Sequence, residues 1–548
     1  MYEYSRCGYV SGNGVVRVAT VATAANVESW EMSLALLLAV ALGGGGGDVA
    51  PGTPIVSVRV IRDDVFDLTD SETSSWPYRW AVHLHVLTRE RFIRSLLLFK
   101  VGDPLDPARL AESERILRAT GFLSPVNITA RPAPGGAEVV VETHDQWTTL
   151  AGLSLGAFGN QKHIGGSLAE KNFLGWGKWL EADYDSSTER TTATFMYLDN
   201  LFLASRWQLE LLHRNASDGK TDFFNLDYPF FALATPRAGG VDWQRATQTE
   251  YLYVAGNKDV SGSNTVHSFD LWGGIRLPGD SGTTNRLTLG VFYYNSQFAQ
   301  WQFTNGAPYP QPLDYRMAGI LIGWDHQLDR WAVVRGFRAW VRQEDVPFGP
   351  NWTVQVGPSL PALGGDQTRI KFNGVATLGA LAGVQYSWLT VSSTGRYENG
   401  SFDNTVTHLE VGTAQTGPVG WRARLAADLG NRLDGDQQLA LGADVGLRGW
   451  NPGTFDGTSR AVANLEWRHV LTGELLHVGV IGATVFVDAG KTWAPRLGPS
   501  TDGIRKDAGV GLLLESTRAS LLQVVRVEAA MPDQGKGPVV VVTSVSLF

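Results

Sequence analysis

From Thr148 to the C-terminus the chain is dominated by alternation of polar and apolar positions with a period of two. Strand side chains point alternately to opposite faces. The run Ala461 to Arg468 therefore sets Asn464, Glu466 and Arg468 on one face and Ala461, Ala463, Leu465 and Trp467 on the other. The run Val478 to Gly490 repeats the arrangement, with Phe486, Asp488 and Gly490 opposite an apolar face of Ile481, Ala483, Val485, Val487 and Ala489. Asn285 to Asn295 is a further clear strand, Leu439 to Val445 and Gly509 to Leu513 are shorter, and the chain closes on an apolar strand ending at Phe548. Polar-in, apolar-out strands repeated in this way predict a transmembrane β-barrel over residues 147–548. The connections Thr304–Leu313 and Val346–Thr368, polar or Pro-rich, read as long extracellular loops.

Residues 55–146 follow a different pattern, that of a small α/β domain. Ile55 to Val60 alternates as a strand; Thr88 is placed to cap a helix carrying Phe92, Ile93, Leu96 and Leu97 on one side. Asp106-Pro107 opens a second helix with Leu110, Ile116 and Leu117 that stops before Gly121. Two strands, Val126 to Ala130 and Glu138 to Glu142, follow across a Pro- and Gly-rich turn. The order strand, helix, helix, strand, strand predicts a mixed sheet covered by two helices.

Composition narrows the class. Of 548 residues 43% are hydrophobic and only 18% charged, with 63 Gly and 19 Trp, against about 25% charged in average soluble domains. No run of about 18 apolar residues is present, so membrane crossing by helices is excluded and a closed barrel is the alternative. The net charge of −8 argues against nucleic acid as a partner. Cys7 is the only cysteine, which permits neither an internal disulfide nor a cysteine metal site. Residues 1–54 are read as an upstream extension, a signal-peptide core from Ser33 to Leu42 after Met32, and a Gly-rich linker, with translation expected to start at or near Met32.

Catalytic and metal motifs are sparse. Gly152-Leu153-Ser154-Leu155-Gly156 matches the nucleophile-elbow string, yet it falls in an alternating strand and not at a strand-to-helix turn, so no catalytic residue is assigned. His83 and His85, two apart beside Trp80, would share one face of a strand, but a third ligand is not evident and packing is the expected role. No enzyme activity, cofactor or metal is expected.

Within the small domain, Leu98-Phe99-Lys100-Val101-Gly102-Asp103 and Glu112-Ser113-Glu114-Arg115-Ile116-Leu117-Arg118 resemble a polypeptide-transport-associated (POTRA) domain. With Asn172-Phe173-Leu174-Gly175-Trp176-Gly177 near the barrel start, Leu447-Arg448-Gly449-Trp450, Phe486-x-Asp488-x-Gly490 and the terminal Phe548, the chain after residue 54 resembles the BamA/TamA outer-membrane assembly superfamily. Leu447 and Trp450 stand where the family more often has Val or Ile and Phe or Tyr. On the last strand, Ser544 and Ser546 share the face of Phe548, where the family's insertion signal is apolar.

The resemblance implies sixteen strands, although the alternation itself yields more candidates than sixteen. It implies a loop folded into the lumen whose Arg448 meets Glu466 and Asp488, Phe548 as insertion signal, and a lateral seam between Thr149–Phe158 and Val539–Phe548. The location implied is the outer membrane of a Gram-negative bacterium, with the POTRA domain in the periplasm. The bilayer, unfolded or extended client polypeptides and accessory periplasmic proteins are the implied partners. Insertion of polypeptides is the leading role, with a dedicated two-partner-type secretion pore or a passive or structural channel as alternatives.

Overall fold

The computed structural model describes residues 49–158, 161–187, 190–279, 282–518, 524–535 and 537–543. The leader run after Met32, Cys7 and the terminal Phe548 lie outside the described residues. The described residues divide into two compact units: residues 49–148 together with Lys171–Gly177, and Thr149–Glu170 together with the residues from Lys178 onward.

The first unit holds a three-stranded sheet of β1 (Ile55–Asp63), β2 (Leu123–Ala133) and β3 (Gly136–Asp145). β3 lies in the centre, parallel to β1 and antiparallel to β2. Three helices, α1 (Trp76–Leu84), α2 (Glu90–Leu96) and α3 (Pro107–Ala119), lie between β1 and β2 in sequence. Phe92, Ile93, Leu117, Phe122, Val139 and Val141 are buried together with Ile55, and each such side chain contributes about 1.5–3 kcal/mol by leaving water. α3 begins as its sequence implies: the Asp106 carboxylate accepts from the Ala108 amide at 2.9 Å, and Pro107 occupies the first turn.

Three details differ from expectation. α1 is an additional helix whose Trp76, Trp80 and Leu84, spaced four apart on one face, are all exposed, and none of its residues is buried. Thr88 does not cap α2, because its amide and hydroxyl both donate to Asp145 Oδ2 at 2.7 Å, and Arg89 takes the cap position. His83 lies in α1 and His85 just beyond it, so they do not share a strand face. His85 instead packs into the unit, with Nδ1 3.0 Å from Asp64 and Nε2 3.5 Å from Asp145. Among the described residues no group of three His, Cys, Asp or Glu could hold a metal ion.

The second unit is a closed barrel. Its neighbouring strands are consecutive in sequence and antiparallel all the way round, except that a small hairpin, Trp331–Val334 paired with Glu344–Pro347, stands outside the wall. Among the described residues the wall contains twenty strands, four more than the expected sixteen. The excess has a physical origin: many connections are turns of two to four residues, as at Ala255–Gly256, Gly383–Val384 and Asn399–Gly400, so the sequence accommodates more crossings. Segment 346–368 is accordingly not one loop, since Gly349–Ser359 is a wall strand.

Alternation across the wall is as the sequence implies. Leu465, Trp467, Val485, Val487, Val510, Leu512 and Leu514 are exposed on the outside, while Glu466, Phe486 and Asp488 are buried inside. Gly152–Gly156, the string resembling a nucleophile elbow, lies within the strand Thr149–Phe158. Because strands alternate in direction, the connections at 329–348 and 416–418 share the rim at which the barrel chain begins. Those at 304–314 and 432–458 belong to the opposite rim.

Candidate functional site

The candidate site is built by the connection between strands Val419–Asn431 and Ser459–Val470, which turns back into the barrel. Its two arms pair through Leu441 and Phe455, which exchange backbone hydrogen bonds of 2.9 and 3.1 Å. A short 3-10 turn at Ala443–Val445 follows. Gly446 then takes φ of +104°, a conformation glycine adopts without the side-chain clash of other residues. Leu441, Leu447 and Phe455 bury against Ala426 and Val462 of the wall, with Val445 and Trp450 packed around them. Burial of this apolar set carries the tip inward past the rim. Glu466 lies seven residues along its strand from Ser459, roughly 23 Å at the rise of a strand.

At that depth Arg448 is fully buried and meets three carboxylates from three strands. Nε and Nη2 donate to Asp488 Oδ2 and Oδ1 at 2.8 and 2.9 Å, a two-pronged contact. Nη1 donates to Glu466 Oε2 and Glu528 Oε1, both at 3.0 Å. The guanidinium carbon sits 3.3 Å from the centre of the Phe486 ring, a stacking to which the planar group is suited. Arg526, also buried, donates from Nη2 to Glu466 at 2.5 Å and to Glu528 at 2.7 Å. Asn464 completes the frame by donating to Asp488 Oδ1 at 2.7 Å and to the Gly446 carbonyl at 2.6 Å.

Two glycines admit this approach. A Cβ on Gly449 would stand 2.5 Å from the Asp507 Cβ, and one on Gly490 would stand 2.8 Å from Leu441. Trp450 packs edge-on against Phe455 with 4.8 Å between ring centres. The structure thus brings Arg448, Gly449, Glu466, Phe486, Asp488 and Gly490 into one lumenal cluster, with Trp450 at its edge; Phe548 lies outside the described residues.

Arg526 and Glu528 are members that the sequence reading missed. They alternate inward on Val524–Pro532, one of the same polar-in runs, and both are buried. The signal was present, but Val-rich surroundings hid it. Chemically the arrangement is a clamp: the acids are occupied by guanidinium groups, and what it can do is hold a loop.

Asn172-Phe173-Leu174-Gly175-Trp176-Gly177 forms a second cluster, within the first unit. Asn172 donates to the Thr88 hydroxyl at 2.7 Å and accepts from the Gly177 amide at 2.7 Å. The Arg89 amide donates to the Gly175 carbonyl at 3.0 Å, and the Arg89 guanidinium lies 4.8 Å from the Trp176 ring centre. Gly177 has φ of +63° and no room for a side chain, since a Cβ would fall 2.2 Å from the Phe92 ring.

No protein-family model matches the chain, and no curated protein matches it. Solved structures similar to it include BamA from Haemophilus ducreyi lacking POTRA domains 1-3, at 13% identity and a TM-score of 0.38, over 89% of this chain and 84% of that one. CdiB from Escherichia coli matches at 14% identity and 0.44, over 89% and 75%. CdiB from Acinetobacter baumannii matches at 10% and 0.42, over 96% and 94%. Solved structures similar to this chain thus include BamA and CdiB barrels.

Proposed function

We propose that this chain is an outer-membrane barrel that inserts or translocates polypeptides. The observation that carries the reading is the lumenal clamp: an inward loop pinned by Arg448 to Asp488, Glu466 and Glu528 within a closed barrel that is apolar outside. A passive pore has no need of a buried four-group ionic clamp on a reentrant loop, whereas a protein that must hold and release a lumenal obstruction does. In this reading the first unit, a βααββ sheet with one further helix, acts as a POTRA domain in the periplasm. Its outer strands β1 and β2 present backbone groups to extended clients. The seam at Val541–Phe158 and Val542–Ala157 is the lateral exit. No chemical step, cofactor or metal is assigned.

A dedicated secretion pore is the second reading, favoured by the twenty-strand wall, since barrel diameter grows roughly linearly with strand number and a wider lumen admits an extended chain. Depletion of the protein in its host, followed by quantitative proteomics of outer-membrane and secreted fractions, tests both. Loss of many barrel proteins is the expected result for insertion; loss of one or two exported proteins would establish secretion. Unchanged fractions would overturn both readings.

A further inference from the structure

The clamp is not the only segment folded into the lumen. At the other rim, the connection between strands Tyr315–Leu328 and Gly349–Ser359 carries residues 335–343 away from their own strands. These residues are held by side chains far along the wall. Phe337 packs on Tyr386 and Trp388, with ring centres 5.0 and 5.5 Å away. The Arg335 carbonyl accepts from the Gly417 amide at 2.9 Å. Arg468 Nη2 donates to the carbonyls of Gly336 and Phe337 at 3.2 and 2.9 Å. Glu515 accepts from the amides of Trp340 and Val341 at 2.5 and 3.0 Å. Trp340 buries against Val480 and Leu513, over Gly482, where a Cβ would fall 2.0 Å from the indole.

From Tyr386 to Glu515 the wall takes five inter-strand steps, an arc of roughly 24 Å at about 4.8 Å per step. The anchors fall on successive strands from Gln385–Glu398 to Arg505–Ser516, so the segment follows the inside of the wall along that arc. Its anchors are charged side chains facing the lumen on main-chain groups, the kind of bond that a solvated loop would satisfy with water. Strand Ser459–Val470 holds both obstructions: Glu466 grips the Arg448 loop, and Arg468, two residues nearer the other rim, grips this strap.

We propose that residues 335–343 form a second lumenal constriction, an inner collar lining the wall in series with the Arg448 loop, so that the lumen is narrowed twice at adjacent depths. The inference rests on the transmembrane-barrel reading but not on any client. Replacement of residues 335–343 by Asn-Gly would join Val334 directly to its partner Glu344 through a two-residue hairpin turn that suits the strand twist, removing the strap while keeping the hairpin. The full-length protein, this strapless variant, Arg448→Ala and the combination are compared by single-channel conductance in planar bilayers, with heat-modifiable gel migration reporting a folded barrel.

For two constrictions in series, each single variant is expected to raise conductance less than twofold and the combination at least fivefold. A combination no more conductive than Arg448→Ala alone would overturn the proposal, as would a fully open strapless variant. Absence of channel events from folded protein in every variant would instead refute the barrel reading. A second variant retains the strap: Arg468→Gln is expected to admit trypsin cleavage after Arg338 and Arg342, protected in the parent, and continued protection would count against Arg468 as the latch.

Discussion

Arg448 combines two demands that a lysine would not meet: a planar fork that spans both oxygens of Asp488, and a flat face laid on the Phe486 ring. Removing one partner of a buried ionic group leaves the others uncompensated, at a cost of about 3–5 kcal/mol. Arg448→Ala leaves Asp488, Glu466 and Glu528 facing one another with Arg526, and with Arg468 3.8 Å from Glu466, as the remaining cations. The expected outcome is loss of protection of segment 432–458 against protease with the barrel still heat-modifiable. Arg448→Lys is expected to restore only part of the protection, because a single ammonium cannot replace the fork. Full protection in the alanine variant would refute the clamp.

At the scale of elements, the sheet of the first unit carries a pH-sensitive joint at the end of β3. Burial raises the Asp145 carboxyl to about 6, against the bonds from Thr88 and the nearby His85, while Asp64 adds to the rise. Its folded value exceeds the unfolded one, so the folded unit binds the proton more tightly. The resulting stability is fully present below about pH 4 and is lost as pH rises through 6, by at most about 3 kcal/mol at 1.36 kcal/mol per unit. Hydrogen exchange of the Val139–Val141 amides in the intact protein should therefore slow between pH 7.5 and pH 5 after correction for intrinsic rates. Asp145→Asn is expected to flatten that dependence, and an unchanged pH profile in the variant would exclude Asp145 as its source.

Elements also show why legibility in the sequence was uneven. α3 and the strands around Glu466 and Asp488 were readable because cap, proline and alternation act within a few residues. The strap at 335–343 carries no sequence reading because its pattern is irregular, and its burial comes from Arg468 and Glu515, more than a hundred residues away. α1 escaped notice because it buries nothing, and Arg526 and Glu528 because Val neighbours masked a polar face. Local signals reached the sequence; contacts made between distant segments did not.

Over the whole molecule, the wall closes where its first and last strands meet, Val541 opposite Phe158 and Val542 opposite Ala157. Paired cysteines at Ala157 and Val542, in a chain with Cys7 replaced by Ser, should crosslink in the folded protein. If the seam is the exit, the crosslink is expected to abolish activity on clients and reductant to restore it. Retained activity in the oxidised state would move the exit to the lumen, as the secretion reading requires.

The clamp also orders the assembly of the barrel in time. Arg448 precedes every one of its carboxylate partners in the chain, and the farthest, Glu528, arrives with Val524–Pro532, next to last among the described wall strands. An emerging or partly inserted chain can pair Arg448 with Glu466 and Asp488 once strand Gly479–Trp493 is in place, but the cluster is complete only when Val524–Pro532 brings Glu528 and Arg526. A chain cut short before Val524 would leave Arg448 facing two carboxylates without the third acid and the second guanidinium, a state that quality-control proteases could distinguish from the finished barrel.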